Sequence, residues 1–124
     1  MVILIADDEQ PIRSLVKRLL GDKHVVLEAA DGEAAVDMAR RYGPALILMD
    51  ILMPKISGYA ALRAIRTDPV TKGIPVVMLT GLGNELDKKL AKQMGADGYI
   101  TKPFSLRDLK KTIGRLLKSP RLEI

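Results

Sequence analysis

Five polar residues come directly after short apolar segments of the sequence, and together their side chains offer the groups that phosphoryl transfer requires. Asp7, Asp8 and Asp50 supply carboxylates, Thr80 a hydroxyl and Lys102 an ammonium group. Three neighbouring carboxylates repel one another, and a Mg2+ ion, which prefers oxygen ligands, would relieve that repulsion. Lys102 can pair with a carboxylate or a phosphoryl oxygen, and Thr80 can donate a hydrogen bond to such an oxygen. Asp50 is the candidate nucleophile, because a carboxylate can form an aspartyl-phosphate.

The elements that must position these groups are five short strands, each followed by an amphipathic helical pattern. The first, third and fourth apolar segments contain almost no polar residue, which is typical of strands covered on both faces. Glu28 interrupts the second segment and indicates a strand nearer the edge of the sheet. The predicted strands are Val2–Ala6, Val25–Ala29, Ala45–Met49, Pro75–Leu79 and Asp97–Thr101.

Helix boundaries are marked by residues that commonly cap helices. Pro11 belongs in a first turn, and Gly21 and Gly95 follow the ends of the first and fourth helices. The inner face of the fourth helix is predicted to consist of Leu86, Leu90, Ala91 and Met94. The predicted N-caps of the second to fourth helices are Asp31, Ser57 and Asn84, and Ser105 with Asp108 forms a capping box for the fifth.

Alternation of strands and helices predicts an α/β fold with a doubly wound parallel sheet and right-handed crossovers. In such sheets ligands bind outside the carboxyl ends of the strands. Four of the five predicted strands end at the candidate residues, so we expect these side chains to meet at one edge of the sheet.

Composition excludes several other kinds of site. The 124 residues, 48% of them hydrophobic and 28% charged, fit one globular domain. The absence of Cys and the single His24 exclude thiolate and His-cluster metal sites, and four aromatic residues leave little material for stacking bases. No apolar run approaches the roughly 18 residues of a membrane helix, and no secretion signal is evident, so we expect a cytoplasmic location.

Positive charge is concentrated in the C-terminal third of the chain. Residues 1–83 hold ten basic and ten acidic side chains, whereas residues 84–124 hold ten and five, which accounts for the net charge of +5. A solvated helical face is the first interpretation, an acidic protein partner the second, and nucleic-acid binding the last, because no recognition motif is present. The residues on this basic face are Lys88, Lys89, Lys92, Lys110, Lys111 and Arg115.

Over residues 2–117 the chain resembles the receiver domain of two-component response regulators. The resemblance rests on five motifs in order: Asp7-Asp8, the segment 49–54 (MDILMP), Gly58, the segment 79–81 (LTG) and the segment 102–104 (KPF). It implies the flavodoxin-like strand order 2-1-3-4-5. It also implies a receiver domain over residues 1–118 followed by a tail at 119–124, either as a single-domain regulator or as part of a longer chain.

The resemblance implies a role for each matching position. Asp50 would take a phosphoryl group from a phosphohistidine of a sensor histidine kinase or phosphotransfer protein. Mg2+ would be held by Asp7, Asp8, Asp50 and the Leu52 carbonyl. The phosphoryl group would be bound by Lys102 and Thr80. Tyr99 would change rotamer as Thr80 moves. The Lys102–Pro103 peptide would be cis.

The same resemblance implies a switch rather than an enzyme with turnover. The chain would catalyse only its own phosphorylation and slow dephosphorylation. Its face formed by helix 4, strand 5 and helix 5 would control a downstream protein target or effector domain. Leu52 and Leu82 are apolar at positions that influence access of water in the family, and we hypothesise that they prolong the phosphorylated state.

The alternative function is a phosphatase similar to the haloacid dehalogenases, which also use an Asp at a strand end, a Thr and a Lys. That chemistry generally needs a second Asp, two residues after the nucleophile, as general acid. Leu52 occupies this position. The alternative therefore lacks its general acid.

Overall fold

The computed structural model describes residues 1–81 and 85–117, with side chains of the second range described from Lys88 onward. Strands and helices alternate through the whole of this part of the chain. In order they are β1 (Val2–Ala6), α1 (Gln10–Leu20), β2 (Val25–Ala29), α2 (Gly32–Tyr42), β3 (Leu46–Asp50), α3 (Gly58–Thr67), β4 (Val76–Thr80), α4 (Glu85–Gln93), β5 (Gly98–Thr101) and α5 (Leu106–Leu117).

The five strands form one parallel sheet in the order β2-β1-β3-β4-β5. The α/β class and the strand order are therefore confirmed, as is the edge position of β2. Since β1, β3 and β4 are interior strands, their carboxyl ends lie side by side. No described helix is both long and apolar enough to cross a bilayer.

Two apolar cores cover the two faces of the sheet. Because alternate side chains of a strand point to opposite faces, Ile3 and Ile5 of β1 pack with α1 and α5, whereas Leu4 and Ala6 pack with α2, α3 and α4. All four of these side chains are fully buried. This explains the nearly continuous apolar sequence of the interior strands.

Helix caps are confirmed wherever the structure describes them. The Asp31 carboxylate accepts a hydrogen bond from the Ala34 amide (2.7 Å), and the Ser57 hydroxyl accepts one from the Ala60 amide (3.1 Å). Ser105 and Asp108 exchange reciprocal bonds of 3.0 and 3.2 Å. The predicted cap Asn84, the Leu86 side chain and Leu82 lie outside the described residues.

Strand boundaries required correction. β3 and β4 each begin and end one residue later than predicted, so Asp50 and Thr80 are the last residues of their strands rather than the first residues beyond them. Asp50 pairs with Leu79 and Thr80 with Thr101, which extends the ladder through both polar residues. β5 begins at Gly98 instead of Asp97.

The predicted inner face of α4 was also partly wrong. Ala91 is fully buried and Met94 packs against the core, but Leu90 remains 37% exposed. α4 lies over β4 and the edge strand β5. Among its described side chains, Ala91 is the one that is fully buried against the core.

Candidate functional site

Asp7 is the buried acid of the site, and both its backbone and its side chain are held. Its amide donates to the Ala29 carbonyl of β2 at 3.0 Å, which continues the strand pairing past Ala6. One carboxylate oxygen accepts a 2.9 Å bond from the Glu9 amide, and the other accepts a 2.8 Å bond from Lys102 Nζ. These contacts fix the direction of a carboxylate that has no exposure to solvent.

Asp50 lies beside Asp7 at the end of β3, and its side chain is 12% exposed. Directly behind it Gly58 begins α3, with its amide 2.7 Å from the Ile51 carbonyl. A Cβ at Gly58 would stand 2.1 Å from the Asp50 carbonyl oxygen and 2.8 Å from Ile51 Cα. Only glycine allows the helix to approach this closely, so Gly58 sets the position of the Asp50 backbone.

The three predicted metal ligands converge. Asp7, Asp8 and Asp50 each offer a carboxylate oxygen within 4.8 Å of the others, with Asp8 exposed. Burial raises the pKa of Asp50 above its usual value, and the negative charges of Asp7 and Asp8 raise it further against the opposing effect of Lys102. The crowding of hard oxygen donors and their mutual repulsion are the features that fit Mg2+.

Lys102 crosses from the end of β5 into the middle of this acidic group. Its Nζ lies 2.8 Å from Asp7, 3.3 Å from Asp50 and 3.8 Å from Glu9. Burial lowers the pKa of Lys102, but its contacts with Asp7 and Asp50 outweigh this and raise the pKa above its usual value. The ammonium group is therefore held charged beside the candidate nucleophile.

Thr80 presents a hydroxyl without a partner. The residue is almost fully buried, and its Oγ1 forms no hydrogen bond in the described structure, although its carbonyl accepts one from the Lys102 amide at 2.8 Å. Buried polar groups are normally satisfied, so this hydroxyl is a candidate donor to a ligand. The role of Thr80 stays a prediction.

Tyr99 lies on β5 with 46% of its surface exposed, and Lys88 Nζ stands 5.1 Å from the centroid of its ring. Of the predicted basic face, Lys92 and Arg115 line a cleft together with Tyr99, and Arg115 donates a 3.4 Å bond to the Asp97 carbonyl. The Lys102–Pro103 peptide is cis, as the resemblance implied. Tyr99 is therefore in an outward position on the face predicted to contact partners.

A cleft of about 660 Å3 opens at the site and is lined by Asp8, Asp50 and Lys102. Leu52 forms part of its lining and is 78% exposed, and Tyr59 lines the cleft beside it. Two residues near the site were not predicted as site residues. Arg13 of α1 donates to the Asp7 carbonyl and pairs with Glu28 of β2, which the sequence analysis used only as the sign of an edge strand.

Comparison with known proteins agrees with this geometry. The sequence profile of the response regulator receiver domain matches residues 3–114. The chain is 40% identical over 117 residues to the probable transcriptional regulator ycf27 of Galdieria sulphuraria, a match that covers 94% of this chain and 45% of that protein. The chain thus spans less than half the length of this relative.

Two solved structures have the same fold over nearly their whole length. A response regulator receiver domain protein from Clostridium thermocellum superposes with a TM-score of 0.89 at 31% identity, covering 99% of this chain and 98% of that one. The receiver domain of the sensor histidine kinase PA1611 from Pseudomonas aeruginosa PAO1, with magnesium coordinated in its active site cleft, gives a TM-score of 0.88 at 30% identity over 95% and 98% of the chains. The profile match spans most of the chain, and the chain belongs to the response regulator receiver domain family.

Proposed function

We propose that Asp50 is the phosphoacceptor of this receiver domain and that its phosphorylation switches the surface formed by α4, β5 and α5. Receiver domains of response regulators are phosphorylated on an aspartate by histidine kinases. The observation that carries the assignment to Asp50 is the meeting of three carboxylates within 4.8 Å, with Lys102 Nζ 3.3 Å from Asp50. Family membership leaves the phosphatase alternative without support.

In the proposed reaction, a carboxylate oxygen of Asp50 attacks the phosphorus of a phosphohistidine on a sensor kinase or phosphotransfer protein. The phosphorus–nitrogen bond breaks, and the imidazole leaves with the electron pair. Lys102 pairs with the transferred oxygens and Thr80 donates its free hydroxyl to one of them. Mg2+ held by Asp7, Asp8, Asp50 and the Leu52 carbonyl would neutralise the negative charge that builds up during transfer.

The proposed response to phosphorylation runs through Thr80 and Tyr99. Movement of the Thr80 hydroxyl toward a phosphoryl oxygen opens space behind β4, and Tyr99 turns inward to fill it, away from Lys88. This shifts the population of the basic face that contacts a downstream protein or effector domain. The chain is proposed to act in the cytoplasm, where the donor kinases obtain their phosphate from ATP, and without turnover of free substrates.

Incubation with Mg2+ and acetyl phosphate, followed by intact mass measurement, tests the assignment. We expect a single phosphoryl adduct, its loss in Asp50→Ala, and its retention in the matched control Asp37→Ala on the exposed surface of α2. Multiple turnover of phosphate esters would instead support a phosphatase. An adduct that persists in Asp50→Ala would refute the choice of nucleophile.

A further inference from the structure

We propose that Arg13, oriented by Glu28, is a positioning residue that holds the Asp7–Asp8 turn in the geometry needed for Mg2+. The inference rests on the proposed function only in taking Asp7 and Asp8 as metal ligands. Arg13 lies on α1 and Glu28 on the edge strand β2, so neither belongs to the site itself.

The Arg13 guanidinium joins three elements. Its Nη1 donates to the Asp7 carbonyl at 2.8 Å, and its Nε donates to Glu28 Oε1 at 3.2 Å. The Arg13 side chain is 15% exposed and the Glu28 side chain 32%, which shields both contacts from much of the solvent. Lys17, at 3.8 Å from the other oxygen of Glu28, adds a second and more exposed contact. The planar fork of arginine makes these two bonds in a fixed relative direction.

The Asp7 carbonyl that Arg13 binds belongs to the peptide between Asp7 and Asp8, two of the three proposed Mg2+ ligands. On the other side of Asp7, its amide is bound to Ala29. The Asp7 amide is thus bound to β2 directly, and the Asp7 carbonyl is bound to β2 through Arg13 and Glu28. These two contacts set the orientation of the peptide that leads into Asp8. Asp8 is exposed, so the direction of its carboxylate depends chiefly on that backbone. Arg13 therefore acts on the ligand geometry and touches neither carboxylate.

Charge and geometry make opposite predictions for this residue. Arg13 is a cation close to a site for a cation, so its removal would strengthen Mg2+ binding if only the Coulomb term mattered. If Arg13 acts by positioning, its removal weakens binding, because outer-shell partners of metal ligands typically contribute about 10- to 100-fold in affinity. The sign of the change separates the two effects.

The test is calorimetric titration of the full chain with MgCl2 at constant ionic strength. We expect Arg13→Met to raise the Kd for Mg2+ about tenfold. Arg18→Met, which removes the same charge from an exposed position of α1, should leave Kd unchanged or slightly lower. In parallel, the rate of Asp50 phosphorylation should need more Mg2+ in Arg13→Met, while the maximal rate at saturating Mg2+ stays within about twofold of the parent.

Glu28→Ala provides a second variant if Arg13→Met folds poorly. In the parent protein, Glu28→Ala should raise the Kd for Mg2+ by a smaller factor than Arg13→Met does. In an Arg13→Met background it should leave the Kd unchanged, because the two side chains act as one unit. An unchanged or lowered Kd in Arg13→Met, or additive effects of the two substitutions, would overturn the positioning role.

The outcomes also separate this inference from the proposed function. A parent protein that binds Mg2+ in an Arg13-dependent way but forms no adduct at Asp50 would support the positioning role and refute the phosphoacceptor assignment. If Asp50 forms the adduct but Arg13→Met leaves the Mg2+ affinity unchanged, the phosphoacceptor assignment is supported and the positioning role is refuted. A parent protein without measurable Mg2+ binding would refute both.

Discussion

The Asp50 carboxylate lies in surroundings that disfavour its ionised form. Because burial and Asp7 raise its pKa above the usual 3.8, the folded protein binds this proton more tightly than the unfolded chain does. The free energy of unfolding therefore falls as the pH rises from about 3.8 through the raised pKa, and the loss persists at neutral pH. In the proposed function this charge is the nucleophile, which gives a reason for the site to keep it.

Asp50→Asn should remove this penalty. In buffer containing a chelator, we expect its Tm at pH 7 to exceed that of the parent by a few degrees, and the difference to shrink as the pH falls toward 4. Thermal unfolding followed by circular dichroism provides the measurement, with Asp22→Asn on an exposed turn as the control. An equal rise at both pH values would show that ionisation is not the cause.

The buried hydroxyl of Thr80 also lowers the stability of the unphosphorylated protein. An unpaired buried hydroxyl costs about 1–3 kcal/mol, so Thr80→Val, which keeps the shape and deletes the polar atom, should stabilise the unphosphorylated protein by about 1 kcal/mol. Urea unfolding measures this gain, and Thr67→Val, whose parent hydroxyl already donates to the Arg63 carbonyl, should show none. A loss of stability in Thr80→Val would mean that the hydroxyl is satisfied in solution.

Leu52 is a large apolar side chain exposed at the rim of the cleft, two residues after Asp50. We expect Leu52→Asn to speed loss of the phosphoryl group severalfold, because an amide can orient a water molecule that leucine excludes. Decay of the mass adduct after removal of acetyl phosphate measures the rate, with Val70→Asn as a distant exposed control. An unchanged rate would contradict the shielding role of Leu52.

At the scale of elements, Arg66 at the end of α3 connects this helix to two segments that lead into the sheet. Its guanidinium donates to the Gly95 carbonyl (2.9 Å), to the Ile74 carbonyl (2.7 Å) and to Asp97 (2.6 Å). Asp97 also accepts a 2.8 Å bond from the Val76 amide. The cluster ties α3 to the segments that lead into β4 and β5, opposite the end that carries the site.

Arg66→Ala should lower the free energy of unfolding by about 1–2 kcal/mol, since it removes three hydrogen bonds, of which the one to the Ile74 carbonyl is partly buried. Arg66→Lys should recover less than half of that loss, because one ammonium cannot reproduce the fork. Urea denaturation measures both, and Arg63→Ala on the exposed side of α3 should remain within about 0.5 kcal/mol of the parent. If Arg66→Lys were as stable as the parent, the positive charge of Arg66 and not the geometry of its hydrogen bonds would account for the stabilisation.

The site belongs to the whole molecule, because its groups come from the ends of β1, β3, β4 and β5. A ligand that binds only this assembled set stabilises the fold by mass action, by about 2.7 kcal/mol at a concentration 100 times its Kd. We expect the Tm to rise with added Mg2+ and to return to its starting value with EDTA. Asp8→Asn should abolish most of the shift, whereas Asp31→Asn should preserve it, and a shift that survives Asp8→Asn would place the ion elsewhere.

Much of the local structure could be predicted because local forces determine it. Asp31 and Ser57 cap their helices through bonds to amides three residues ahead, and such contacts are readable from spacing. The predicted ends of β3 and β4 were off by one residue, since pairing of Asp50 with Leu79 depends on another strand. The exposure of Leu90 likewise depends on how far the core extends beneath α4.

By itself, the sequence determined that strands alternate with helices and that acidic, hydroxyl and ammonium groups stand where four of the five strands end. Those features follow from the period of apolar residues and from caps formed within one helical turn. Only the tertiary structure decided that Lys102 reaches Asp7 across 95 positions of the chain, that the Thr80 hydroxyl has no partner among the described residues, and that Arg13 joins Asp7 to Glu28. These depend on distances between side chains remote in sequence, which are set when the strands pair and the helices pack on the sheet.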